Sequence, residues 1–412
     1  MNSDSIAVII GGSHAASQLI ASLRQEGWIG RILVISDEKQ LPYHRPPLSK
    51  TYLSGEKTPE NLLIRKPAVY EKLNVKWLLE THVEFIDRAT KSVVLGNGER
   101  LKYDKLALCT GARVKKLAIA GSDLSGIHYL RNLSDAEAIK KDIKHGGRAV
   151  IIGGGYIGLE TAALLRKMGM AVDVLVHSSR VLRRVTAGPV SDFFTRLHSQ
   201  EGIQIHTREK PDSFEGDKQV ESVICASGKR FLADLVIIGI GVTPNTELAE
   251  ACGLPVDDGI IVDEFCASEE DRDIVAVGDC AKHPSSIYNR FLRLESVPNA
   301  SEQAMSAAAT MCGKIKPYAV VPWFWSDQYD IKLQMAGLND DYDQMVIRGD
   351  IDNSRSFVAW YFLNGKLVAA DCVNRPQEFR LAQQMLKNGI NPSPKELADD
   401  NLGVKQLLEL IE

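Results

Sequence analysis

The sequence lacks the cysteine patterns of disulfide and metal proteins. Its seven cysteines are scattered and form no C-x-x-C or C-x-x-x-x-C pair. No cluster of cysteine and histidine has the spacing of a zinc or iron–sulfur site. We therefore expect no metal site, and cysteines that are reduced and mostly buried.

A basic excess and a long apolar run are also missing. The net charge is −4, which argues against nucleic-acid or anionic-membrane binding. No apolar run reaches about 18 residues, the length of a membrane span. A strand-like segment, AVII, follows the N-terminus without a basic leader. We expect a cytoplasmic protein with neither nucleic acid nor membrane among its partners.

The composition is that of a globular protein of several domains. The chain has 412 residues, of which 44% are hydrophobic and 25% charged. Two or three domains are expected at this length. The 32 glycines are typical of a fold with several tight backbone turns.

Two segments have the pattern of a βαβ unit. The first consists of IAVII, the turn GGSHAA, a helical run to Gly27 and the strand RILVIS, which ends at Asp37. The second follows Gly147 and consists of RAVII, GGGYIG, LETAALLRKMG and AVDVLV, which ends at His177. Two such units indicate two bound dinucleotides.

The order of the segments predicts an α/β protein with two Rossmann-like domains and a small C-terminal α+β domain. After the second unit the chain returns to the first fold through DIVAVGDCA, so the second domain is an insertion. Alternating strands with an Asn-Gly hairpin signal follow Val321. The predicted domains are 1–113 with 245–321, 114–244, and 322–412.

The two glycine turns differ. Gly153, Gly155 and Gly158 fit the G-x-G-x-x-G spacing that brings backbone N–H groups to a diphosphate. In the first unit Gly11 holds the first position, whereas Ser13 and Ala16 replace the second and third glycines. A serine side chain crowds the closest approach to the pyrophosphate.

Five segments together resemble the FAD-dependent ferredoxin reductases of bacterial oxygenase systems, the putidaredoxin reductase and aromatic-ring dioxygenase reductase type. They are LPYHRPPLSKTYL, GGGYIGLE, AVGDCA, RLESVPNA and PWFWSDQY. The resemblance runs along essentially the whole chain and implies a fold like that of glutathione reductase. It also implies FAD, NADH or NADPH as hydride donor, and a [2Fe-2S] ferredoxin that serves a cytochrome P450 or ring-hydroxylating oxygenase.

The resemblance assigns a set of residues to FAD. Asp37 would bind the adenosine ribose, unless it is only a solvated turn acid, and Lys50 would stabilise the negative charge of reduced flavin. His14 is either a phosphate contact or an ordinary surface histidine of the turn. The full set is Gly11, Gly12, Ser13, His14, Ala15, Ala16, Asp37, Arg45, Lys50, Val83, Arg131, Asp279 and Val297.

A second set is assigned to the pyridine nucleotide. It comprises Gly153, Gly155, Tyr156, Ile157, Gly158, Glu160, Gly241 and Glu295. Glu160 is expected in the first turn of its helix and would reach the nicotinamide and Lys50. The alternative is a charge that merely suits a helix N-terminus.

The end of the second strand departs from the NAD-selective pattern. A carboxylate there accepts from the ribose 2′-hydroxyl and repels a 2′-phosphate, whereas this chain has His177 and then Arg180. Arg180 either binds the phosphate or has a structural role. NADH and NADPH both stay open.

Trp325, in PWFWSDQY, matches a family tryptophan near the flavin edge where the ferredoxin docks, and interfacial core is the alternative. Four basic residues are candidates for steering an acidic ferredoxin, or are simply a solvated face: Arg65, Lys66, Arg290 and Arg293. The resemblance is compatible with a monomer or a weak homodimer.

Three other functions compete. A flavin disulfide reductase needs a cysteine against the flavin, and no cysteine precedes Cys109. An NADH oxidase would consume oxygen at a rate comparable to ferredoxin reduction. A nucleotide-sensing flavoprotein like apoptosis-inducing factor would turn over slowly, and Ser13 leaves room for it because weak flavin binding suits an effector.

Overall fold

The computed structural model describes residues 3–409, so the extreme ends of the predicted domains, 1–2 and 410–412, lie outside the described residues. The chain divides into two compact units. The first unit contains the chain up to His44, Pro59–Arg113 and Val242–Val320. The second contains Arg45–Thr58, Val114–Gly241 and the chain from Val321 onward.

A five-stranded parallel sheet organises the first unit. In spatial order its strands are Ile274–Ala276, Lys105–Leu108, Ile6–Ile10, Arg31–Ile35 and Val75–Leu78. Side chains alternate across the central strand, so Ala7 and Ile9 enter one buried cluster while Val8 and Ile10 enter another. The sheet is thus covered on both faces, as parallel sheets are.

Smaller elements complete the first unit. Two three-stranded sheets consist of Val83–Asp87, Ser92–Leu95 and Arg100–Lys102, and of Ile260–Ile261, Ala281–Ser285 and Arg290–Leu292. The helices are His14–Gln25, Pro59–Leu62, Pro67–Lys72, Glu247–Ala251 and Val297–Met311. The chain leaves the unit through the strand Ala112–Val114 and re-enters it through Val242–Pro244.

The second unit repeats the parallel arrangement. Its strand order is Gln204–Thr207, Ala171–Val176, Arg148–Ile152, Leu235–Ile238 and Ile127–Tyr129. A three-stranded sheet follows, made of Pro211–Glu215, Ser222–Cys225 and Arg230–Leu232. The helices of this part are Leu133–Asp142, Tyr156–Lys167 and Gly188–Gln200, and a 3₁₀ turn spans Pro46–Ser49.

An antiparallel sheet forms the C-terminal part of the second unit. Its order is Trp323–Gln328, Ile331–Gly337, Lys366–Val373, Phe357–Leu363 and Gln344–Gly349. The helices Pro376–Asn388, Pro394–Ala398 and Val404–Glu409 follow. Buried Val358, Trp360 and Phe362 pack with Leu381 and Met385 of the first of these helices in one core.

The predicted fold class is confirmed, since two Rossmann-like sheets and a C-terminal α+β part are present. The division into three domains stays a prediction. Residues 322–409 belong to the same compact unit as 114–241, and the loop 45–58, predicted as part of the first domain, also belongs to it. Among residues 3–409, no helix is both long and apolar enough to cross a membrane.

All seven cysteines are free thiols, and five of them are buried. Burial raises the pKa of Cys109 and Cys372 well above the usual range of a thiol. A high pKa keeps a thiol protonated and unreactive. Within the described part of the chain, no group of three or more histidine, cysteine or acidic side chains has the arrangement of a metal site.

Candidate active site

The first glycine turn packs closely on the parallel sheet of the first unit. Gly11 has φ +109°, and a Cβ there would lie 2.1 Å from the carbonyl oxygen of Cys109. A Cβ on Gly12 would lie 2.6 Å from Oγ of Ser36. Ser13 has an extended backbone and occupies the N-cap position of the helix His14–Gln25, without a capping hydrogen bond from its side chain. Glycine is therefore required at positions 11 and 12 because a side chain there would collide with Cys109 or Ser36.

The helix after this turn begins with buried small residues. Ala15 and Ala16 are buried, and Ala16 is completely inaccessible. The His14 side chain is only 9% exposed, and its ring centroid lies 5.6 Å from that of His44. The alternative of an ordinary surface histidine is therefore wrong.

A second turn of the first unit lies beside the first. Gly278 has φ +84°, its built Cβ would lie 3.6 Å from Cβ of Ala15, and its N–H donates to Oε1 of Gln303 at 2.7 Å. The contact brings Asp279 next to the glycine turn. Val297 is the first residue of the helix Val297–Met311, which Ser296 caps by accepting from the Asn299 N–H at 3.2 Å.

The two residues assigned to the adenosine end of FAD lie near the edge of this sheet. Asp37 follows the strand Arg31–Ile35, is 70% exposed and lies 3.1 Å from Nδ1 of His82. Val83 is buried and begins the strand Val83–Asp87, which belongs to a separate three-stranded sheet of this unit.

These residues of the first unit fit a bound FAD. Gly11 and Gly12 have no side chains to cover the backbone N–H groups of the turn, and the helix His14–Gln25 begins two residues after Gly12. Such an arrangement presents N–H groups and a positive helix end to a pyrophosphate. Asp37 can accept from ribose hydroxyls, and the Gly278–Asp279 turn adds a carboxylate for further hydroxyl groups.

The second glycine turn has the same geometry in the second unit. Gly153 has φ +120°, and a Cβ there would lie 2.2 Å from the Gly239 carbonyl oxygen. A Cβ on Gly158 would lie 2.3 Å from the Gly153 carbonyl oxygen, whereas a Cβ on Gly155 would meet nothing within 4 Å. Ile157, on the helix that follows, is 47% exposed. An open Gly155 and an exposed apolar residue suit a surface that a nucleotide covers.

Glu160 is the centre of a buried polar cluster. It is the fifth residue of the helix Tyr156–Lys167, whose first turn contains no acid. The expectation of a first-turn charge is therefore wrong, since the helix begins one residue after Gly155. Glu160 is 6% exposed, and its Oε2 lies 2.8 Å from Nζ of Lys50. A buried carboxylate needs such partners.

Two serines complete the shell of Glu160. The hydroxyl of Ser49 donates to Oε2 at 2.7 Å, and that of Ser326 donates to Oε1 at 2.7 Å. With Lys50, three donors fix both carboxylate oxygens. The structure thus brings together the predicted Lys50 and Glu160, and it adds Ser49 and Ser326, which the sequence analysis missed.

The loop that carries Lys50 is anchored at both ends. Nη1 of Arg45 donates to the Arg131 carbonyl oxygen at 2.7 Å. The hydroxyl of Tyr52 donates to Glu137, and Nζ of Lys140 lies 4.1 Å from the centre of the Tyr52 ring. These contacts lie on and next to the helix Leu133–Asp142. Arg45 and Arg131 therefore hold the Lys50 loop as well as being candidates for FAD contacts.

The polar cluster continues inward to a buried histidine. Nε2 of Gln328 donates to Ser326 at 3.0 Å, and Nε2 of His198 lies 2.8 Å from Oε1 of Gln328. Burial lowers the pKa of His198, although the Gln328 hydrogen bond opposes this. Glu160 can only accept, so Ser326 donates to it, Gln328 donates to Ser326, and neutral His198 donates from Nε2.

Tyr156 faces the same region. Its hydroxyl lies 2.8 Å from the sulfur of Met335. Burial raises the pKa of Tyr156 well above its usual value, and the charges of Asp371 and Glu160 add to the shift. Tyr156 is therefore a neutral phenol at physiological pH.

Trp325 lies outside the Glu160 cluster. Trp325 and Ser326 are neighbours on one strand, so their side chains point to opposite faces of the sheet. The Trp325 ring lies 5.6 Å from that of Trp323, which in turn lies 5.7 Å from the Phe379 ring. Trp325 is partly exposed beside the C-terminal core.

The remaining candidates lie apart from the cluster. Gly241 has φ +107°, and its carbonyl oxygen accepts from the Lys115 N–H at 2.9 Å. Glu295 is exposed and accepts from Nη1 of Arg293 at 2.8 Å. Arg65 donates to the Ser17 carbonyl oxygen at 3.1 Å. Arg65 and Arg293 thus have structural partners, which weakens their case as ferredoxin-steering charges.

Comparison with known proteins shows the family of this chain. The family model for pyridine nucleotide-disulphide oxidoreductases matches residues 6–304, and that for the reductase C-terminal domain matches residues 323–408. Putidaredoxin reductase of Pseudomonas putida is 42% identical over 99% of this chain and 98% of its own.

Two solved structures are similarly close. The covalent putidaredoxin reductase–putidaredoxin complex has a TM-score of 0.96 and 42% identity, covering 99% of each chain. The ferredoxin reductase for the CYP199A2 system of Rhodopseudomonas palustris has a TM-score of 0.95 and 38% identity, covering 98% of this chain and 100% of its own.

The fold and the site define an oxidoreductase that uses FAD and a pyridine nucleotide. The chain belongs to the pyridine nucleotide-disulphide oxidoreductase family and, within it, to the ferredoxin reductases of the putidaredoxin reductase type.

Proposed function

We propose that this protein transfers electrons from NADH or NADPH through FAD to a [2Fe-2S] ferredoxin, which serves a cytochrome P450 or ring-hydroxylating oxygenase in the cytoplasm. The observation that carries the proposal is the ion pair of Lys50 with the buried Glu160, on the helix that follows the second glycine turn. It is joined by full-length similarity to a reductase whose complex with putidaredoxin is known. A monomer or weak homodimer suits an enzyme that must leave a docking face open.

The chemistry that bound FAD supplies is acceptance of a hydride from the nicotinamide and release of the two electrons one at a time. Residues 1–113 and 245–321 form the FAD-binding domain, 114–244 the nucleotide-binding domain, and 322–412 the C-terminal domain. Gly153, Gly155 and the helix start after them hold the nucleotide pyrophosphate.

Lys50 is the residue whose charge matters most in this mechanism. The Lys50 side chain is 20% exposed and its ammonium group is held at 2.8 Å from Glu160, so it needs no rearrangement when negative charge develops on the flavin. Ser49 and Ser326 keep Glu160 in one orientation and thereby position Lys50. Trp325 is proposed to contact the ferredoxin, because it is a partly exposed aromatic residue.

An anaerobic titration tests the proposal. The purified yellow protein is titrated with NADH and separately with NADPH while the oxidised-flavin absorbance is followed, and a [2Fe-2S] ferredoxin is then added. We expect rapid bleaching by at least one nucleotide, and ferredoxin reduction much faster than oxygen uptake. No bound flavin, no bleaching, or turnover with oxygen alone would contradict the proposal.

A further inference from the structure

The end of the second strand of the nucleotide-binding sheet has an unusual residue. In the first unit Ile35 pairs with Ile10, and Asp37 stands two residues later. In the second unit Leu175 pairs with Ile152, and His177 stands two residues later. The structure therefore aligns His177 with a carboxylate of the sister site. A carboxylate here accepts from a ribose 2′-hydroxyl, and an imidazole cannot exclude a 2′-phosphate.

The segment that follows is basic and has no acid. Between Asp173 and Asp192 the sequence contains three arginines and a histidine but neither aspartate nor glutamate. The Asp173 carboxylate already has a partner, since its Oδ1 lies 2.6 Å from Nε2 of His206. Within the segment, a phosphate at this strand end would therefore meet no carboxylate.

Backbone hydrogen bonds fix this segment next to the glycine turn. The N–H of Leu182 donates to the Gly154 carbonyl oxygen at 2.8 Å. A Cβ on Gly154 would lie 2.9 Å from Cγ2 of Val176, so the turn also contacts the strand end. On the other side, the N–H of Arg208 donates to the Ser178 carbonyl oxygen at 3.0 Å. Residues 177–183 thus lie between the pyrophosphate turn and Arg208.

The basic side chains of this region have two different roles. Arg180 donates to the carbonyl oxygens of Thr186 at 2.8 Å and Arg183 at 3.2 Å, so it holds the segment in shape. His177, Arg183 and Arg208 are exposed. Among residues 3–409, the side chains of these three make no hydrogen bond or ion pair. The backbone bonds join the segment that carries His177 and Arg183 to Arg208 on one side and to the glycine turn on the other. Basic side chains without partners next to such a turn suit an anionic ligand.

We infer that His177, Arg183 and Arg208 form the binding site for the 2′-phosphate of NADPH, so that this reductase prefers the phosphorylated nucleotide. The inference rests on the proposed function and names its hydride donor. Arginine binds phosphate through two parallel N–H donors. Arg180 is a positioning residue that holds the backbone between the turn and Arg183.

Nucleotide fragments test the site without turnover. The holoenzyme is titrated by calorimetry with 2′,5′-ADP and with 5′-ADP. We expect 2′,5′-ADP to bind roughly tenfold to a hundredfold more tightly, as charge-assisted hydrogen bonds to one phosphate allow. The difference should shrink as salt is raised. Equal affinity of the two fragments would overturn the inference.

Substitutions assign the effect to residues. Arg183→Ala combined with Arg208→Ala should remove most of the preference for 2′,5′-ADP and lower the ratio of kcat/KM for NADPH to that for NADH by a similar factor. His177→Glu should lower the same ratio by restoring a carboxylate. Arg380→Ala, which removes an exposed arginine from the helix Pro376–Asn388, is the matched control. A preference that survives the double substitution would contradict the assignment.

Failure of this inference differs from failure of the proposed function. A flavoprotein that NADH alone reduces, and that binds both fragments equally, would keep the reductase and remove the phosphate site. A protein that neither nucleotide reduces would refute the proposed function. Tight 2′,5′-ADP binding in such a protein would still support the site.

Discussion

The two glycine turns share a backbone conformation but differ in the residues that follow the first glycine. Gly11 and Gly153 both have positive φ, and each lies against a carbonyl oxygen of a neighbouring strand. At the second glycine position of the motif the turns differ, since Ser13 and Gly155 both have extended backbones that any residue adopts. The first glycine is thus a requirement of the sheet, whereas the described protein atoms place no such requirement on the second position.

The third position and the helix behind it differ as well. Ala16 is buried without difficulty, while a Cβ on Gly158 would lie 2.3 Å from a backbone oxygen. Two residues later Gln18 in the first unit corresponds to Glu160 in the second. The Gln18 amide donates to Ser22 at 3.0 Å and accepts from Arg65 at 3.3 Å, and the amide itself carries no charge. The same helix position therefore holds an uncharged amide, Gln18, in the first unit and a buried carboxylate, Glu160, in the second.

Among the substitutions in the two turns, Gly153→Ala should have the largest effect on stability. The new Cβ collides with the Gly239 carbonyl oxygen, and the positive φ adds strain of about 1–3 kcal/mol. We expect a large fall in the thermal unfolding midpoint of the holoenzyme. Gly155→Ala is the control, because its Cβ meets nothing within 4 Å, so its midpoint should hardly change while nucleotide binding weakens. Equal midpoints for the two variants would contradict this account.

Glu160→Gln gives the second unit the amide that the first unit has, and Lys50→Met removes its partner. Each should lower the anaerobic rate of flavin reduction by about 100-fold, the typical effect of losing one preorganised charge. The double variant should be little slower than either single one, because the two residues act as a pair.

Rapid mixing in a stopped-flow instrument measures these rates. Lys57→Met, which removes an exposed lysine from the same loop, should reduce at the normal rate. A normal rate for Lys50→Met would remove Lys50 from the mechanism.

Ser326→Ala tests the shell of Glu160, for which the first unit has no counterpart. It removes a donor to a buried carboxylate and leaves Gln328 without its acceptor. We expect flavin reduction to slow by about tenfold. Ser286→Ala changes an exposed serine and should have no effect. A purely structural role for Ser326 would lower the unfolding midpoint and leave the reduction rate intact.

The smallest effect is expected from exchanging the second position between the turns. Ser13→Gly should strengthen FAD binding a few-fold, roughly 1 kcal/mol, by removing a side chain from the pyrophosphate contact. Gly155→Ser should weaken nucleotide binding to a similar degree. Equilibrium dialysis of the apoprotein with FAD measures the first change. An unaltered FAD affinity would contradict this prediction. It would mean that a hydrogen bond from the Ser13 hydroxyl offsets the crowding that its side chain causes.

The parts of this protein that repeat local patterns were predictable from the sequence. Both βαβ units, the C-terminal hairpins and the pairing of Lys50 with Glu160 were expected, the last through family resemblance. Ser326, Gln328 and His198 were missed. Ser326 and Glu160, like His198 and Gln328, are far apart in the sequence, so no local pattern predicts their hydrogen bonds. Serine and glutamine are also common polar residues that by themselves indicate no site. The helix start at Tyr156 was misjudged by a few residues, which moved Glu160 out of the first turn.

The interleaved order of the segments constrains how the protein emerges from the ribosome. All five strands of the nucleotide-binding sheet lie between residues 127 and 238, so that sheet can close while the rest of the chain is still being translated. The first sheet must wait for Ile274–Ala276. The Lys50 loop is made early but lacks Ser326 until much later. The strands of the inserted sheet are therefore synthesised before the first sheet has its last strand, and Glu160 gains the Ser326 hydrogen bond only after both.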